Sequence, residues 1–192
     1  MPRLTDASRR ARRDAITDAA LRVFERRGVA RASMADIIDE LGGSAGGVYS
    51  HFTSKAELVR SIAGGVLSRG IDALAASEPA PLSPMAVLRA SLVQVVAEAP
   101  TGIIVQLWGE ATFDPEMRPV VLDTLAQVEA SLREAVLPWA RRLPGDPEAR
   151  ADRIGRAMRV ASQGYIAQLA LFGQPTAEQY LDDLAELLSA TG

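Results

Sequence analysis

Residues that begin and end helices divide this chain at short intervals, and that feature restricts its fold more than any other. Three segments open with a capping residue followed by proline at the first helical position: Ser83-Pro84, Asp114-Pro115 and Asp146-Pro147. Gly28 and Gly173 follow apolar stretches, where a left-handed residue commonly ends a helix. No stretch shows the polar–apolar alternation of a half-buried strand. The sequence therefore predicts an all-α fold of about nine helices.

Apolar periodicity and capping residues place four helices in the first part of the chain. One face of the first helix follows the spacing i, i+3, i+4, i+7, i+8, with Ile16, Ala19, Ala20, Val23 and Phe24. Three further helices have predicted bounds of Ser33 to Gly42, Ser44 to about Ser50, and Ser54 to about Ala76.

The rest of the chain reads as a larger helical body. A Pro-rich break at Pro79, Pro81 and Pro84 marks the main subdivision of the helices. Thr101 opens a helix through Phe113, and the final helix starts at Thr176. We predict two domains, residues 1–60 as a head with a basic N-terminal arm and residues 61–192 as a helical body.

Charge is divided unequally between these two parts. Residues 1–60 carry 11 Lys and Arg against 8 Asp and Glu, whereas residues 61–192 carry 10 against 16. Five arginines lie within the first thirteen residues. A positive head on an acidic body is typical of polyanion binding. A solvated basic tail is the alternative that charge alone leaves open.

Composition removes several chemistries. The chain has no cysteine, and its single histidine, His51, cannot form a multi-histidine metal site. Residues 80–192 carry no nucleophile motif, no Gly-rich phosphate loop and no acidic cluster with metal spacing. We therefore predict a protein that is not an enzyme and that uses neither a cofactor nor a metal.

One window resembles a membrane span in length. The 18 residues between Arg159 and Glu178 carry no charge. Gly173 and Pro175 interrupt the window, so we interpret it as a helix that packs against a second copy of the chain. No apolar core of about 7–15 residues follows the basic start, so no signal peptide is expected. These features predict a cytoplasmic protein without a membrane segment.

The segment from residue 32 to residue 55 predicts the function. Two short helices joined by a glycine-containing turn, after a basic helix, form a helix-turn-helix, whose second helix enters the major groove of DNA. The side chains placed to contact phosphates are those of Ser33, Tyr49, His51 and Lys55. Core packing is the alternative for Tyr49, and a solvent-exposed position is the alternative for His51.

Residues 13–60 resemble the DNA-binding domain of TetR-family (tetracycline-repressor-like) transcriptional regulators. The matching residues are Ala19-Ala20, Phe24, Gly28, Ser33-Met34, Asp36-Ile37, Gly42, Ser44, Gly46, Val48-Tyr49, His51-Phe52, Ser54-Lys55 and Leu58. Departures from the family pattern are Ala32, Ile38, Leu41, Gly43 and Gly47. In the family a threonine that bonds a phosphate commonly stands at the place of Gly47.

The resemblance implies that Ser44, Ala45, Gly46, Gly47, Tyr49 and Ser50 form the groove-facing helix. This stretch contains no Arg, Asn or Gln, the side chains that make strong bidentate contacts to bases. We therefore hypothesise that DNA shape, together with Arg9 and Arg10 of an N-terminal arm in the minor groove, supplies much of the discrimination. For Ser44, a role as a helix cap alone stays open.

The resemblance also implies a homodimer formed through the last two helices and a body that encloses a small effector. Candidate effector residues are Trp108, Glu110, Phe113, Met117, Met158 and Tyr165, with plain core packing as the alternative for each. The predicted function is that of a repressor that a mostly apolar effector releases from a near-palindromic double-stranded DNA operator. An activator, a dimeric architectural protein without an effector, and a helical enzyme are the alternatives.

Overall fold

The computed structural model describes residues 6–76, 82–98 and 100–189 of the chain. Within these ranges the chain forms helices and no strand: α1 (Asp6–Arg27), α2 (Met34–Leu41), α3 (Ala45–Tyr49), α4 (Lys55–Ala76), α5 (Pro84–Glu98), α6 (Thr101–Glu110), α7 (Met117–Ala140), α8 (Pro147–Phe172) and α9 (Ala177–Ser189). The all-α prediction is therefore confirmed. The predicted break at Pro79 and Pro81 lies outside the described residues.

Local capping begins and ends several helices where the sequence predicted it. The side chain of Asp146 accepts hydrogen bonds from the backbone N–H groups of Glu148 and Ala149, which satisfies two free donors at the start of α8. Gly28 and Gly173 follow α1 and α8 with φ angles of 78° and 70°. This left-handed conformation favours glycine and stops each helix at the expected residue.

The predicted bounds between α6 and α7 were wrong by a few residues. α6 ends at Glu110 rather than Phe113, because the backbone N–H of Phe113 turns back to the carbonyl of Glu110 at 3.0 Å in a tighter turn. Asp114 caps the next helix as expected. Its carboxylate accepts from the N–H groups of Glu116 and Met117 at 2.8 and 3.2 Å, so that α7 begins only at Met117.

The first compact unit consists of Met1–Gly64 and Gln106–Val121. Within it α1 packs against α2, and α2 packs against α3. The buried core includes Ile16, Val23, Phe24, Ile37, Val48, Phe52 and Leu58. Residues 106–121 belong to the end of α6 and the start of α7, and no sequence pattern indicated that they would join the N-terminal helices.

The second unit consists of Gly65–Val105 and Leu122–Gly192. Its core is formed by apolar side chains of α5, α7, α8 and α9: Val87, Leu88, Leu92, Leu132, Val136, Leu137, Met158, Tyr165 and Leu181. The Tyr180 hydroxyl donates a hydrogen bond to the carbonyl of Ala161 at 2.9 Å, which ties α9 to α8. This unit is therefore a helical bundle with its own apolar interior.

No single helix in the described part of the chain is long and apolar enough to cross a membrane. One bent pair, Pro84–Ala97 with Thr101–Glu110, passes the same test by length and composition alone. The described residues, taken together, contain no group of three or more His, Cys, Asp or Glu side chains that could hold a metal ion.

Candidate nucleic-acid interface

Capping residues fix both ends of α2 and the start of the short helix α3. Ser33 forms a complete capping box with Asp36 at the start of α2, and the N–H of Gly42 closes the end of α2 on the carbonyl of Asp39 at 3.1 Å. Ser44 then begins α3, its hydroxyl accepting from the N–H of Gly47 at 3.2 Å. Because these hydrogen bonds are local, this stretch forms the predicted turn between two helices.

One residue anchors α3 and the others face outward. Val48 is fully buried, whereas the Tyr49 residue is 47% exposed. The remaining exposed residues are Ser44, Ala45, Gly46 and Ser50, and Gly47 is half-buried. The α3 surface predicted to face the groove is therefore open, and a core position for Tyr49 is wrong.

Ion pairs hold α2 on the basic helix that precedes it. Arg22 and Arg26 contact the two carboxylate oxygens of Glu40 at 2.7 and 2.5 Å, and Arg27 pairs with Asp36. Hydrogen bonds from Arg22 and then from Arg26 lower the pKa of the Glu40 carboxyl. Three arginines of α1 are thus already partnered within the unit.

Arg13 fixes the corner that follows α3. Its guanidinium donates to the carbonyl of His51 at 3.0 Å and to the hydroxyl of Ser61 at 3.1 Å. The same group lies 4.2 Å above the ring of Phe52, which is fully buried. Arg13 therefore connects α1, the end of the turn and α4.

His51 is half-buried among positive charges. Burial lowers the pKa of its imidazole, and the nearby guanidiniums of Arg13, Arg12 and Arg9 lower it further. The side chain is therefore neutral at neutral pH. A phosphate bound nearby would compensate the positive charges of these arginines.

Two residues predicted to contact phosphates are engaged inside the unit instead. The ammonium of Lys55 donates to the carbonyl of Val29 at 3.0 Å and lies 3.8 Å from the carboxylate of Glu110, with 20% of its side chain exposed. The Ser33 hydroxyl donates to Asp36 at 2.7 Å and accepts from the same residue's N–H at 3.2 Å. The structure thus directs Lys55 inward, because a carbonyl and a carboxylate compete for its charge.

The same corner receives a second contact from α6. The side-chain oxygen of Gln106 accepts a hydrogen bond from the N–H of Val29 at 2.8 Å. The N–H and the carbonyl of Val29 are therefore both held by side chains, those of Gln106 and Lys55. Sequence reasoning missed Gln106 because its partner lies 77 positions away.

Arg9 and Arg10 lie on the first turns of α1 and are exposed. The basic N-terminal arm predicted to carry them is therefore helical at these residues, since α1 already begins at Asp6. Neither guanidinium hydrogen bonds or pairs with a residue in the described ranges.

The six candidate effector residues fall into two groups. Trp108, Glu110, Phe113 and Met117 belong to the first unit, and Met158 and Tyr165 to the second. Met117, Met158 and Tyr165 are buried, and Trp108 is half-buried. Phe113 is 86% exposed in the turn after α6, and its role in effector binding stays a prediction. Glu110 already faces Lys55.

Sequence comparison with known proteins matches the part of the chain that contains α2 and α3. The sequence model of the family "Bacterial regulatory proteins, tetR family" matches residues 16–62, which run from α1 into α4. The probable HTH-type transcriptional regulator ArpR of Pseudomonas putida is 37% identical over 99 residues, which are 51% of this chain and 47% of ArpR. In that match, the chain spans about half of the relative's length.

Two further proteins are similar over most of the chain. The HTH-type transcriptional regulator AcrR of Shigella flexneri is 28% identical over 183 residues, which are 88% of this chain and 81% of AcrR. The solved structure of GusR of Salmonella enterica is similar with a TM-score of 0.71 at 22% identity, covering 98% of this chain and 100% of GusR. At this identity the structural likeness establishes the shared fold alone.

Proposed function

This chain belongs to the tetR family of bacterial regulatory proteins, and we propose that it is a DNA-binding transcriptional repressor that a small apolar effector releases from its operator. The observation that carries the proposal is the open surface of α3, held outward by the buried Val48 and by the caps at Ser33 and Ser44. A helix presented in this way fits the major groove of B-DNA. We also propose that the protein acts in the cytoplasm, where the chromosome lies.

The charge beside α3 supports a polyanionic partner. The exposed Arg9 and Arg10 of α1 have no partner among the described residues. α3 itself offers small groups and Tyr49 to the groove, without Arg, Asn or Gln. We propose that Arg9, Arg10, Tyr49 and His51 contact the DNA backbone, with Ser44, Ala45, Gly46, Gly47 and Ser50 lying close to the base edges. Ser33 and Lys55 would support the turn rather than bind phosphate.

We propose a homodimer formed through α8 and α9. One face of α8 repeats small or apolar residues with a spacing near 3.5, all exposed except the half-buried Ala167: Ala157, Val160, Gly164, Ala167 and Leu171. Small residues at such a seam let two helices approach closely. Leu187 of α9 is also largely exposed. Each subunit of a two-fold dimer would present one α3, which predicts an operator with two half-sites about 34–36 Å apart.

The effector is proposed from family membership and from the apolar character of the candidate residues. Met158 and Tyr165 lie in the core of the second unit, where an apolar compound would gain burial without leaving a charge unpaired. An effector that binds one conformation of the body better would shift the population toward it, and the DNA affinity would change by the same coupling. No catalytic activity is proposed, because the relatives named above are regulators.

The DNA-binding proposal is tested by selection from a random duplex library with the purified full-length chain. We expect enrichment of a near-palindrome, and we expect tighter binding to it than to a shuffled duplex at the same salt concentration. If no duplex is retained at low salt, the proposed function is wrong. Replacing Arg9 and Arg10 together by alanine should lower affinity for both duplexes by a similar factor, because backbone contacts carry no sequence information.

The effector proposal has its own experiment. A thermal-shift screen of small apolar compounds identifies ligands that raise the melting temperature. Those ligands are then added to the complex with the selected duplex. Release of DNA at the concentration that stabilises the protein supports a regulated repressor. If DNA binding is retained and no compound does both, the architectural protein without an effector is the better description.

A further inference from the structure

Arg12 occupies space that Gly43 leaves open at the turn between α2 and α3. A Cβ atom on Gly43 would lie 2.8 Å from one guanidinium nitrogen of Arg12, and a Cβ on Gly47 would lie 3.7 Å from the same atom. The guanidinium therefore reaches from α1 to the beginning of α3. Any side chain at residue 43 would have to displace it.

The other arginines that reach across from α1 are partnered, and this one is not. Arg13, Arg22, Arg26 and Arg27 donate to a carbonyl, a hydroxyl or a carboxylate. Arg12 makes no hydrogen bond or ion pair with the residues that the structure describes. The charge at this turn thus lacks a counterion among the described residues, although the side chain is half-buried and held close to the backbone.

The surroundings of Arg12 are positive. Burial lowers the pKa of His51, and the charges of Arg13, Arg12 and Arg9 lower it further. Residues 44–50 contribute no charged side chain of their own. A cation at the start of α3 must therefore come from another element, and α1 supplies it. Placing an uncompensated charge here has an electrostatic cost that an anion would remove.

We propose that Arg12 binds a DNA phosphate at the start of α3, and that Gly43 is required because it leaves room for its guanidinium. The inference rests on the proposed function and assigns a residue of α1 to the recognition surface. A guanidinium can donate two parallel hydrogen bonds to phosphate oxygens, which fixes register as well as adding affinity. As a backbone contact, Arg12 would position α3 without reading sequence.

Salt dependence tests the phosphate assignment. Each phosphate that the protein neutralises adds about 0.9 to the slope of log K against log salt. We expect Arg12→Ala to reduce the magnitude of that slope by about one for each head and to weaken binding to the selected and shuffled duplexes by the same factor. Arg12→Lys should keep most of the slope, since the charge remains, but bind less tightly because the fork is lost.

The steric part of the proposal is tested by a double-mutant cycle. Gly43→Ala should displace the guanidinium and reduce the salt slope in the wild-type background, but have little effect when Arg12 is already alanine. Gly46→Ala is the matched control, because it adds the same methyl group to the same surface with no atom within 4 Å. The change in binding free energy that Gly46→Ala causes should be the same with Arg12 present as with Arg12→Ala.

The outcomes separate this inference from the proposed function. If the wild type binds no duplex, the proposed function fails. If the wild type binds and Arg12→Ala leaves the slope unchanged, or alters affinity for one duplex only, the phosphate contact is wrong while the repressor proposal stands. Additive effects of Gly43→Ala and Arg12→Ala overturn the requirement for glycine. Circular dichroism and melting temperature establish that each variant compared is folded.

Discussion

The guanidinium of Arg13 joins three parts of the first unit through two hydrogen bonds and a contact with the ring of Phe52. Its neighbour Arg12 has none of these partners within the described residues. Consecutive residues on a helix point about 100° apart, so adjacent arginines meet different environments. The charge that stabilises the fold and the charge available to DNA are therefore separated by one position.

Arg13→Ala should destabilise the protein much more than Arg12→Ala does. Removing Arg13 takes a charged donor from the His51 carbonyl and from the Ser61 hydroxyl, and a cation from above Phe52. We expect a loss of about 2 kcal/mol in the free energy of unfolding. Urea denaturation at one protein concentration measures both variants. Equal losses would show that the contacts of Arg13 do not carry stability.

His51 should make stability depend on pH between about 7.5 and 5.5. Its pKa in the folded protein is lowered, first by burial and then by Arg13, Arg12 and Arg9, so the unfolded chain binds more protons near the ordinary pKa of 6.5. Stability therefore falls as the pH falls through that range. The loss continues until the pH reaches the lower folded-state pKa.

The control for this titration is His51→Gln, which removes the ionising group. Urea midpoints at pH 7.5 and 5.5 should differ less in the variant than in the wild type. Carboxylates with lowered pKa values, such as Asp36 and Glu40, lose their contribution only as the pH falls below their usual range, about 4. An equal pH effect in both proteins would exclude His51 as the cause.

Single residues were predicted well where their partners are local and poorly where they are distant. Ser44 caps α3 through a residue three positions away, and that relation is visible in the sequence. Lys55 was expected at a phosphate but meets Val29, 26 positions away, because a long side chain takes whichever acceptor the tertiary fold brings near. The bond of Gln106 to Val29 had no local signal at all.

At the scale of helices, most bounds follow from caps that the sequence displays. The end of α6 and the start of α7 differ from the predicted bounds. A tight turn follows Glu110, and the carboxylate of Asp114 caps α7 only a few residues later. How two helices approach each other is not a local property. Gly155 of α8 lies against α7, where a Cβ would be 3.3 Å from the N atom of Arg133 and from the carbonyl oxygen of Glu129.

Gly155→Ala should lower stability, although alanine is the better helix former. The propensity gain is about 1 kcal/mol, but the added methyl would press on backbone atoms that cannot rotate away. Overpacking of this kind costs roughly 1–3 kcal/mol, so we expect a net loss of up to about 2 kcal/mol. Urea denaturation measures it.

Gly64→Ala provides the matched control for this crossing. Gly64 lies inside α4, is exposed, and has no atom within 4 Å of an added Cβ. That variant should be more stable than the wild type by roughly 0.5–1 kcal/mol. A Gly155→Ala protein as stable as Gly64→Ala would mean that α7 and α8 are not closely packed at this point.

At the scale of the molecule, family and fold class could be predicted, whereas the composition of the compact units could not. The pattern from Ala19 to Leu58 is local and specific, so it identified the DNA-binding helices. The division of the chain instead falls within α4, α6 and α7. Continuous helices give no compositional signal at such a boundary. Likewise, the sequence of α8 alone does not show which of its apolar residues are buried against other helices and which are exposed.

Val160 tests whether α8 pairs with a second copy. It is 58% exposed within the seam defined above, so in an isologous dimer the copies of Val160 from both subunits would lie in the contact. Val160→Asp would bring two carboxylates into an apolar contact, which costs several kcal/mol when they stay charged. We expect sedimentation of the variant as a monomer at concentrations where the wild type is a dimer. DNA affinity should fall with it, because a monomer binds only one half-site.

Val93→Asp is the matched control, since it makes the same change at a residue of α5 that is 49% exposed. It should sediment with the wild type and retain DNA binding. If Val93→Asp alone dissociates the protein, the interface lies on α5. If neither variant changes the sedimentation of a dimeric wild type, the α8 seam is not the contact between subunits. Repression would then require another way of setting the distance between the two α3 helices, because that distance is fixed by whatever surface joins the subunits.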